Sequence, residues 1–115
     1  MEVRAVRGWM DDLDRAFESR VRLGVMSMLV VGEYLDFGTL RDRLQLTDGN
    51  LASHLAALEK LGYIEMRKRF IGRRPNTSYA ATEPGRQAFA RHLDGLERMI
   101  RGAGPTGPNA SPSES

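Results

Sequence analysis

The sequence contains no cysteine. Disulfides and thiolate metal sites are therefore excluded, and the absence agrees with a reducing compartment. Long apolar runs are also missing, because the longest, residues 23–31, is too short to cross a bilayer. Acidic side chains precede that run, which is not the pattern of a signal peptide. We therefore expect a cytoplasmic protein that has no membrane partner.

Residues that commonly carry catalysis are scarce as well. The only two histidines, His54 and His92, have no acidic partners at the spacing of metal ligands. The sequence has no nucleophile elbow and no phosphate-binding glycine loop. We expect neither a metal ion nor a cofactor, and we do not expect an enzyme.

The composition is that of one small globular domain. The chain has 115 residues, of which 41% are hydrophobic and 28% are charged. Residues 1–8 show no clear period and predict a flexible arm, whereas residues 102–115 are rich in Gly, Pro and Ser and predict a disordered tail. Residues 9–101 remain for the folded domain. A core of this size leaves little margin of stability, which favours a dimer.

Apolar spacing predicts two helices in the first third of the chain. A short helix over residues 10–17 would place Leu13 and Phe17 on one face. Ser19 is the predicted N-cap of a second helix over residues 20–31, and Gly32 is predicted to end it in the left-handed conformation. The second helix is apolar on most sides and is predicted to be the buried central helix. Four of its residues are expected to face the core: Leu23, Met26, Leu29 and Val30.

A helix-turn-helix pattern follows. Residues 35–37 fit either a short strand or a helix-capping segment, and residues 38–44 fit a short helix. Residues 45–46 make the turn, and Thr47 is the predicted N-cap of the next helix, over residues 48–60. The buried face of that helix is predicted to be a leucine stripe: Leu51, Leu55, Leu58 and Leu61.

A β-hairpin is predicted directly after this helix, which Gly62 ends. Its strands are residues 63–70 and 77–81, because apolar and charged side chains alternate in the first of them. The residues between the strands include three turn formers: Gly72, Pro75 and Asn76. Helix, turn, helix and hairpin in this order are typical of a winged helix. The predicted fold class is therefore mainly α with a small β-hairpin, a winged helix-turn-helix.

The last predicted helix begins after Thr82, its N-cap, and carries a strong apolar stripe. In a chain this short, the stripe is expected to pack against the first helix of a second copy. The predicted dimer interface consists of Leu13, Phe17, Phe89, Leu93, Leu96 and Ile100. The alternative is that the stripe closes the core of its own chain.

Positive charge is concentrated on the hairpin. Residues 60–79 contain six cationic side chains and one carboxylate, a net +5, whereas the whole chain has a net +2 and the remainder therefore has −3. A surface polarised in this way, beside a helix-turn-helix, favours a phosphate backbone as the partner. The alternative is a solubilising charge run that protects an edge hairpin from aggregation.

Two segments resemble those of a known family. Residues 46–55, continued by residues 58–64, resemble the recognition-helix signature of bacterial winged-helix regulators, and residues 77–86 resemble their second wing strand and the start of their last helix. The likeness covers residues 10–101 and is closest to compact regulators related to the MarR-like and ArsR-like repressors. It implies a winged-helix fold and binding of double-stranded DNA.

The sequence lacks one typical feature of each of these two groups. ArsR-like metal sensors usually carry cysteine or clustered histidine and acidic ligands, which are missing here. MarR-like proteins usually carry longer helices at both ends, which form a ligand pocket, and this chain has few residues to spare there. A metal-sensing role is therefore not expected, and a small-molecule effector is an unsupported option.

The predicted DNA contacts lie on the second helix of the helix-turn-helix and on the hairpin. The polar side of helix 48–60 fits the major groove, and its small or hydrogen-bonding side chains can contact base edges. Three strand cations are expected on phosphates, and two arginines at the tip are expected to enter the minor groove. The residues are Thr47, Asn50, Ser53, His54, Arg67, Lys68, Arg69, Arg73 and Arg74.

These features together predict a sequence-specific DNA-binding transcriptional regulator, acting as a homodimeric repressor on a palindromic site. Two alternatives stay open. In one, the winged helix is a protein-interaction module whose basic hairpin binds an acidic partner. In the other, the regulator responds to a ligand in an apolar pocket at the dimer interface, where methionines allow an adaptable lining.

Overall fold

The computed structural model describes residues 10–103. The helices are a 3-10 helix at Arg15–Glu18, α1 at Arg20–Leu29, α2 at Phe37–Leu44, α3 at Asp48–Lys60 and α4 at Glu83–Ala103; the strands are β1 at Leu35–Asp36, β2 at Ile64–Ile71 and β3 at Arg74–Ala81. The flexible arm predicted for residues 1–8 lies outside the described residues, as does the predicted tail from residue 104 onward. Residues 102 and 103, which were predicted to belong to that tail, form the end of α4.

The described residues fall into two compact units. The first unit is Arg15–Ala88, and the second combines residues 10–14 with residues 89–103. In the first unit, the strands form an antiparallel sheet in the order β1-β3-β2. The fold class predicted from the sequence is confirmed: the first unit is mostly helical, and α2, α3 and the β2–β3 hairpin form a winged helix-turn-helix. No helix within residues 10–103 combines the length and the apolar character that crossing a membrane requires.

Helix α1 lies at the centre of the first unit, where it contacts α2, α3 and β3. Its role as the central helix follows from its composition, since apolar side chains occur on most of its sides. Leu23 and Val30, which were predicted to face the core, are only half-buried. The fully buried side chains of the unit are Val25, Met26, Leu29, Leu40, Leu51, Leu55 and Leu58.

The three predicted helix N-caps are confirmed. The hydroxyl oxygen of Ser19 accepts a hydrogen bond from the backbone N–H of Arg22, and that of Thr47 accepts one from Asn50. The Thr82 hydroxyl accepts from the backbone N–H of Gly85 in the first turn of α4. Each such bond satisfies a backbone donor that the helix itself leaves open, which stabilises the protein by about 1 kcal/mol.

Two predictions about the first helices are wrong. Residues 10–17 do not form one helix, because residues 13 and 14 interrupt it and a separate 3-10 helix begins at Arg15. Helix α1 ends at Leu29 rather than at residue 31, and Gly32 does not adopt a positive φ. A left-handed conformation occurs instead at Gln45, which has a φ of 56° and lies in the next turn, between α2 and α3.

The hairpin is longer than predicted and has a tighter turn. Only Gly72 and Arg73 lie between the strands, and Gly72 has a φ of +65°. A positive φ at the first turn position alone is typical of a type II′ turn, which matches the twist of the strands. Pro75 and Asn76, predicted in the turn, belong to β3, where they pair with Phe70 and Arg69. Proline is tolerated because β1 covers only the other end of β3 and leaves this part of the edge free.

The start of the hairpin is fixed to the start of α4. The Thr82 hydroxyl donates to the carbonyl oxygen of Gly62 at 2.6 Å, and the Thr82 backbone N–H donates to the carbonyl of Tyr63 at 3.0 Å. A Cβ added at Gly85 would fall on that Tyr63 carbonyl, so only glycine fits there. Leu61 is exposed, contrary to the prediction, because it lies beyond the last residue of α3.

The second unit is held together by polar contacts and by two buried side chains on α4. The backbone N–H of Asp14 donates to Nδ1 of His92, and Arg98 forms ion pairs with Asp12 and Asp94. His92 is buried, and so is Phe89. His92 therefore has a structural role, because it accepts a hydrogen bond from the backbone near the start of the described chain.

Candidate nucleic-acid interface

Helix α3 presents a polar surface opposite its leucine stripe. Leu51, Leu55 and Leu58 are fully buried, whereas Asn50 and Ser53 are exposed. The side-chain amide of Asn50 has no hydrogen-bond partner among residues 10–103, and an amide can donate to and accept from an adenine edge. The structure therefore leaves this side of the helix open for contacts with bases.

Two of the residues predicted to contact DNA from α3, Thr47 and His54, are less available to a partner than Asn50 and Ser53. Thr47 is exposed, and its hydroxyl oxygen already accepts the N-cap hydrogen bond, so the hydroxyl hydrogen and one lone pair remain for a further partner. His54 is half-buried rather than exposed. The first turn of α3 is thus ordered before any partner arrives.

Arg41 connects the two helices of the helix-turn-helix. Its guanidinium binds Asp42 at 2.9 Å and reaches Asp48, in the first turn of α3, at 3.0 Å. These hydrogen bonds, first the one to Asp42 and then the one to Asp48, raise the pKa of Arg41 further above its usual range. The pairing places a cation beside the Asp48 carboxylate, which would otherwise repel a phosphate backbone. The sequence places Arg41 on a short helix but does not show its bridge to Asp48, because the bridge depends on the angle between the helices.

Asp36 joins the first turn of α2 to the hairpin. Its carboxylate accepts a hydrogen bond from the backbone N–H of Thr39 at 2.7 Å, and Asp36 pairs with Ser78 of β3 in the sheet. The bonds to Thr39 are the main cause that lowers the pKa of Asp36. The sequence left residues 35–37 as either a strand or a cap, and both descriptions hold: Leu35–Asp36 pairs with β3, and Asp36 caps α2.

The β2–β3 hairpin is the wing, and it carries five cations. Alternation along β2 places Arg67 and Arg69 on one face of the sheet and Lys68 on the other. Arg73 lies in the turn, and Arg74, predicted at the tip, is the first residue of β3. All of these side chains are exposed except that of Arg67, which is half-buried.

Arg67 is held by aromatic stacking. Its Cζ atom lies 3.7 Å from the centre of the Tyr34 ring, and the Tyr34 hydroxyl donates to Glu65 at 2.8 Å. That hydrogen bond is the first cause that raises the pKa of Tyr34. Tyr34 can reach β2 across β3 because Ser78 and Ala80, the β3 partners of Arg67 and Glu65, are small. Sequence reasoning missed Tyr34, although its position just before a candidate strand was a usable signal.

Residues 21–100 match the family model of the winged helix DNA-binding domain. The chain belongs to this family. A relative from Methanocaldococcus jannaschii, an uncharacterized protein, is 39% identical over 79 residues, which are 69% of this chain and 86% of that protein. The winged-helix architecture inferred from the geometry thus agrees with the family to which the sequence belongs.

Solved structures show the same winged-helix fold. A transcriptional regulator homologue from Pyrococcus horikoshii is 30% identical, with a TM-score of 0.74, and the match covers 90% of this chain and 99% of that one. The YusO protein from Bacillus subtilis is 15% identical, with a TM-score of 0.70 and coverage of 91% and 77%. The second likeness shows the fold alone, whereas the first also places the chain among winged-helix regulators. The predicted resemblance to these regulators is confirmed.

The winged-helix unit brings the two sets of predicted DNA residues into one compact body. Those on α3 and those on the wing all lie within Arg15–Ala88, and only Leu61, Gly62 and Tyr63 separate α3 from β2. Within residues 10–103, no group of three or more histidine or acidic side chains is arranged to hold a metal ion. The chemistry available on this surface is hydrogen bonding and positive charge.

Proposed function

We propose that this chain is a sequence-specific, double-stranded DNA-binding transcriptional regulator that acts as a homodimeric repressor in the cytoplasm. The observation that carries the proposal is the continuity of α3 with the wing: an exposed polar helix face passes through three residues into a strand rich in arginine. A slim polar helix fits the major groove, and a cationic hairpin beside it fits the flanking backbone.

Specificity is assigned to α3. Asn50 contacts an adenine edge, and Ser53 and His54 contact bases or phosphates nearby. The Arg41–Asp48 bridge supports this assignment, because it fixes the first turn of α3 and offsets the only carboxylate there.

Affinity is assigned to the wing. Arg67, Lys68 and Arg69 contact phosphates, and Arg73 and Arg74 reach the minor groove or its rim. These contacts carry no sequence information of their own, but they fix the register of α3 on the duplex.

Dimerisation is assigned to the apolar stripe of α4. Leu93 and Ile100 are 45% and 68% exposed, and Leu96 between them is half-buried, as is Leu13. Phe17 and Phe89, which the sequence also suggested for the interface, are buried in the single chain, where Phe17 stacks on Tyr63. We therefore leave these two out of the interface. The repressor role rests on the resemblance to MarR-like and ArsR-like repressors.

Selection of bound sequences from a random duplex pool tests the proposal. We expect enrichment of an inverted repeat, since a two-fold dimer binds two equivalent half-sites. The same selection is repeated with Asn50→Ala. This variant should enrich the same repeat but show a weaker base preference at one position of each half-site. Failure to bind or enrich any duplex, even at low salt, would overturn the proposal, and binding to an acidic protein instead would favour the interaction-module alternative.

A further inference from the structure

Two large apolar side chains lie unprotected at the end of the wing. Phe70 is 71% exposed and Ile71 is 56% exposed, and they are the last two residues of β2 before the turn. Exposed apolar residues on a long edge strand invite aggregation, so proteins usually avoid them there. Nothing in the winged-helix core requires them, because the buried part of the hairpin is its other end, near Ile64 and Ala81.

The surroundings of this apolar pair are cationic. Pro75 lies directly opposite Phe70, and the two line an open depression of about 360 Å³ together with Lys68 and Arg69. Arg73 and Arg74 complete the tip, and residues 66–77 contain no acidic side chain. Because successive residues of a strand point to opposite faces, Phe70 and Ile71 place one apolar side chain on each face of the tip, among cations and the neutral side chains of Asn76 and Thr77. Such a tip complements a cleft that is apolar within and negatively charged at its borders.

The minor groove of DNA has that character. Its walls are deoxyribose, its rims are phosphates, and proteins that enter it commonly combine arginine with apolar wedges such as Phe, Ile or Pro. Two paired strands are about 5 Å apart, and their side chains add to this width, whereas the groove of B-DNA is about 6 Å wide. A hairpin tip therefore enters only if the groove widens, and apolar contacts with the opened base steps offset part of the cost of unstacking.

We propose that the wing tip is an apolar wedge, in which Phe70 and Ile71 enter the minor groove and bend or widen the duplex. Arg69, Arg73 and Arg74 hold the phosphates on either side. Pro75 stiffens the strand behind Phe70 because its ring fixes φ. This inference rests on the proposed DNA binding and adds to it a deformation of the DNA, and with it a preference for flexible base steps at positions that α3 does not contact.

The test compares Phe70→Ala and Ile71→Ala with Val31→Ala on the duplex enriched in the selection. Val31 is the matched control, because it is also apolar and 83% exposed but lies just after α1, outside the candidate interface. Affinity is measured at several salt concentrations, and bending is measured by energy transfer between dyes at the two DNA ends. Thermal melting checks that each variant is folded. We expect all three to fold, because the three side chains are exposed and contribute little to the core.

We expect Phe70→Ala and Ile71→Ala each to lower affinity about fivefold or more and to return the dye distance towards that of free DNA. The slope of log affinity against log salt should stay unchanged, since no phosphate contact is removed, whereas Arg73→Ala should reduce the slope by about one. Val31→Ala should match the unmodified protein in affinity, slope and dye distance.

Four results would overturn the wedge. If the unmodified protein binds the duplex but leaves the dye distance unchanged, or if both apolar variants bind and bend DNA as it does, the wedge fails and the proposed DNA binding stands. If the unmodified protein does not bind any duplex, both proposals fail. If Phe70→Ala abolishes binding to phosphatidylserine vesicles but leaves DNA affinity unchanged, the tip binds a membrane surface instead.

Discussion

The guanidinium of Arg67 lies over the ring of Tyr34, and its Cζ atom is 3.7 Å from the ring centre. A cation over an aromatic face is attracted by the ring quadrupole, and here the ring is itself anchored through its hydroxyl to Glu65. Among the wing cations, Arg67 is the only one that is half-buried. An arginine whose orientation is set in the free protein loses less entropy when it binds a phosphate.

Tyr34→Ala is expected to weaken DNA binding, because Arg67 loses the surface that orients it. The loss should be about two- to fivefold and smaller than that of Arg67→Ala, which removes the phosphate contact itself. Tyr34→Phe is the matched control, since it keeps the ring and loses only the bond to Glu65, and it should bind almost as well as the unmodified protein. Competition binding at fixed salt measures all three, and equal affinities for the alanine and phenylalanine variants would refute the orienting role.

Asp36 gives the stability of the protein a defined pH dependence. Its pKa is lowered in the folded state, chiefly by the bonds to Thr39, so its ionised form stabilises the fold. That contribution is complete above the unfolded-state pKa, which is about 4, and is lost as the pH falls through the folded-state pKa. Asp36→Ala should therefore lower the free energy of unfolding by about 0.5–2 kcal/mol at pH 7, and by progressively less below about pH 4.

Urea unfolding across this pH range measures the effect, with Asp36→Asn as the control. Asparagine is also a good N-cap but does not titrate, so its advantage over alanine should be the same at both ends of the range. A gap between the unmodified protein and Asp36→Ala that does not change with pH would show that the charge of Asp36 has no part in the capping.

Asn50→Ala is expected to relax base preference rather than to weaken binding in general. Removing one bidentate contact costs about 1–3 kcal/mol against the preferred base and little against the others. Because no cation is lost, the salt dependence should stay the same. Competition with duplexes that carry single base changes measures this. A uniform loss across all sequences would mean that Asn50 contacts the backbone.

Leu93→Asp tests the proposed dimer face on α4. A carboxylate in an apolar interface is left unpaired and desolvated, so the dimer should dissociate at concentrations where the unmodified protein is dimeric. Leu93 is 45% exposed in the single chain, so the substitution should cost little stability in the monomer. Sedimentation equilibrium measures the state, and Val31→Asp is the control for a charge at another exposed apolar position. A Leu93→Asp protein that stays dimeric would place the interface elsewhere.

The parts of the fold that were predicted from the sequence are those decided locally. Ser19, Thr47 and Thr82 cap helices because a short hydroxyl just before a helical segment can reach the open N–H groups whatever the rest of the chain does. Gly62 ends α3 for a similar reason, with a φ of +81°. The leucine stripe was right as far as Leu58, where the helical period still applies.

The errors occur where tertiary contacts decide the conformation. Gly32 is free to take a positive φ but does not need one, whereas Gln45 takes it because α3 must turn back against α2. Pro75 was predicted in a turn, yet β3 accommodates it on an edge that no third strand covers. The Tyr34–Arg67 stack required the register of three strands, which alternation along one strand does not give.

The central claim is that α3 and the wing together bind duplex DNA through phosphate contacts, and the salt dependence of affinity tests it most directly. Filter binding of the enriched duplex across a range of salt concentrations should give a log–log slope of about −3 or steeper per subunit, since at least three wing cations displace counterions. Arg73→Ala and Arg74→Ala should each make it shallower by about one. A slope near zero for the unmodified protein, or one that neither substitution changes, would contradict the account.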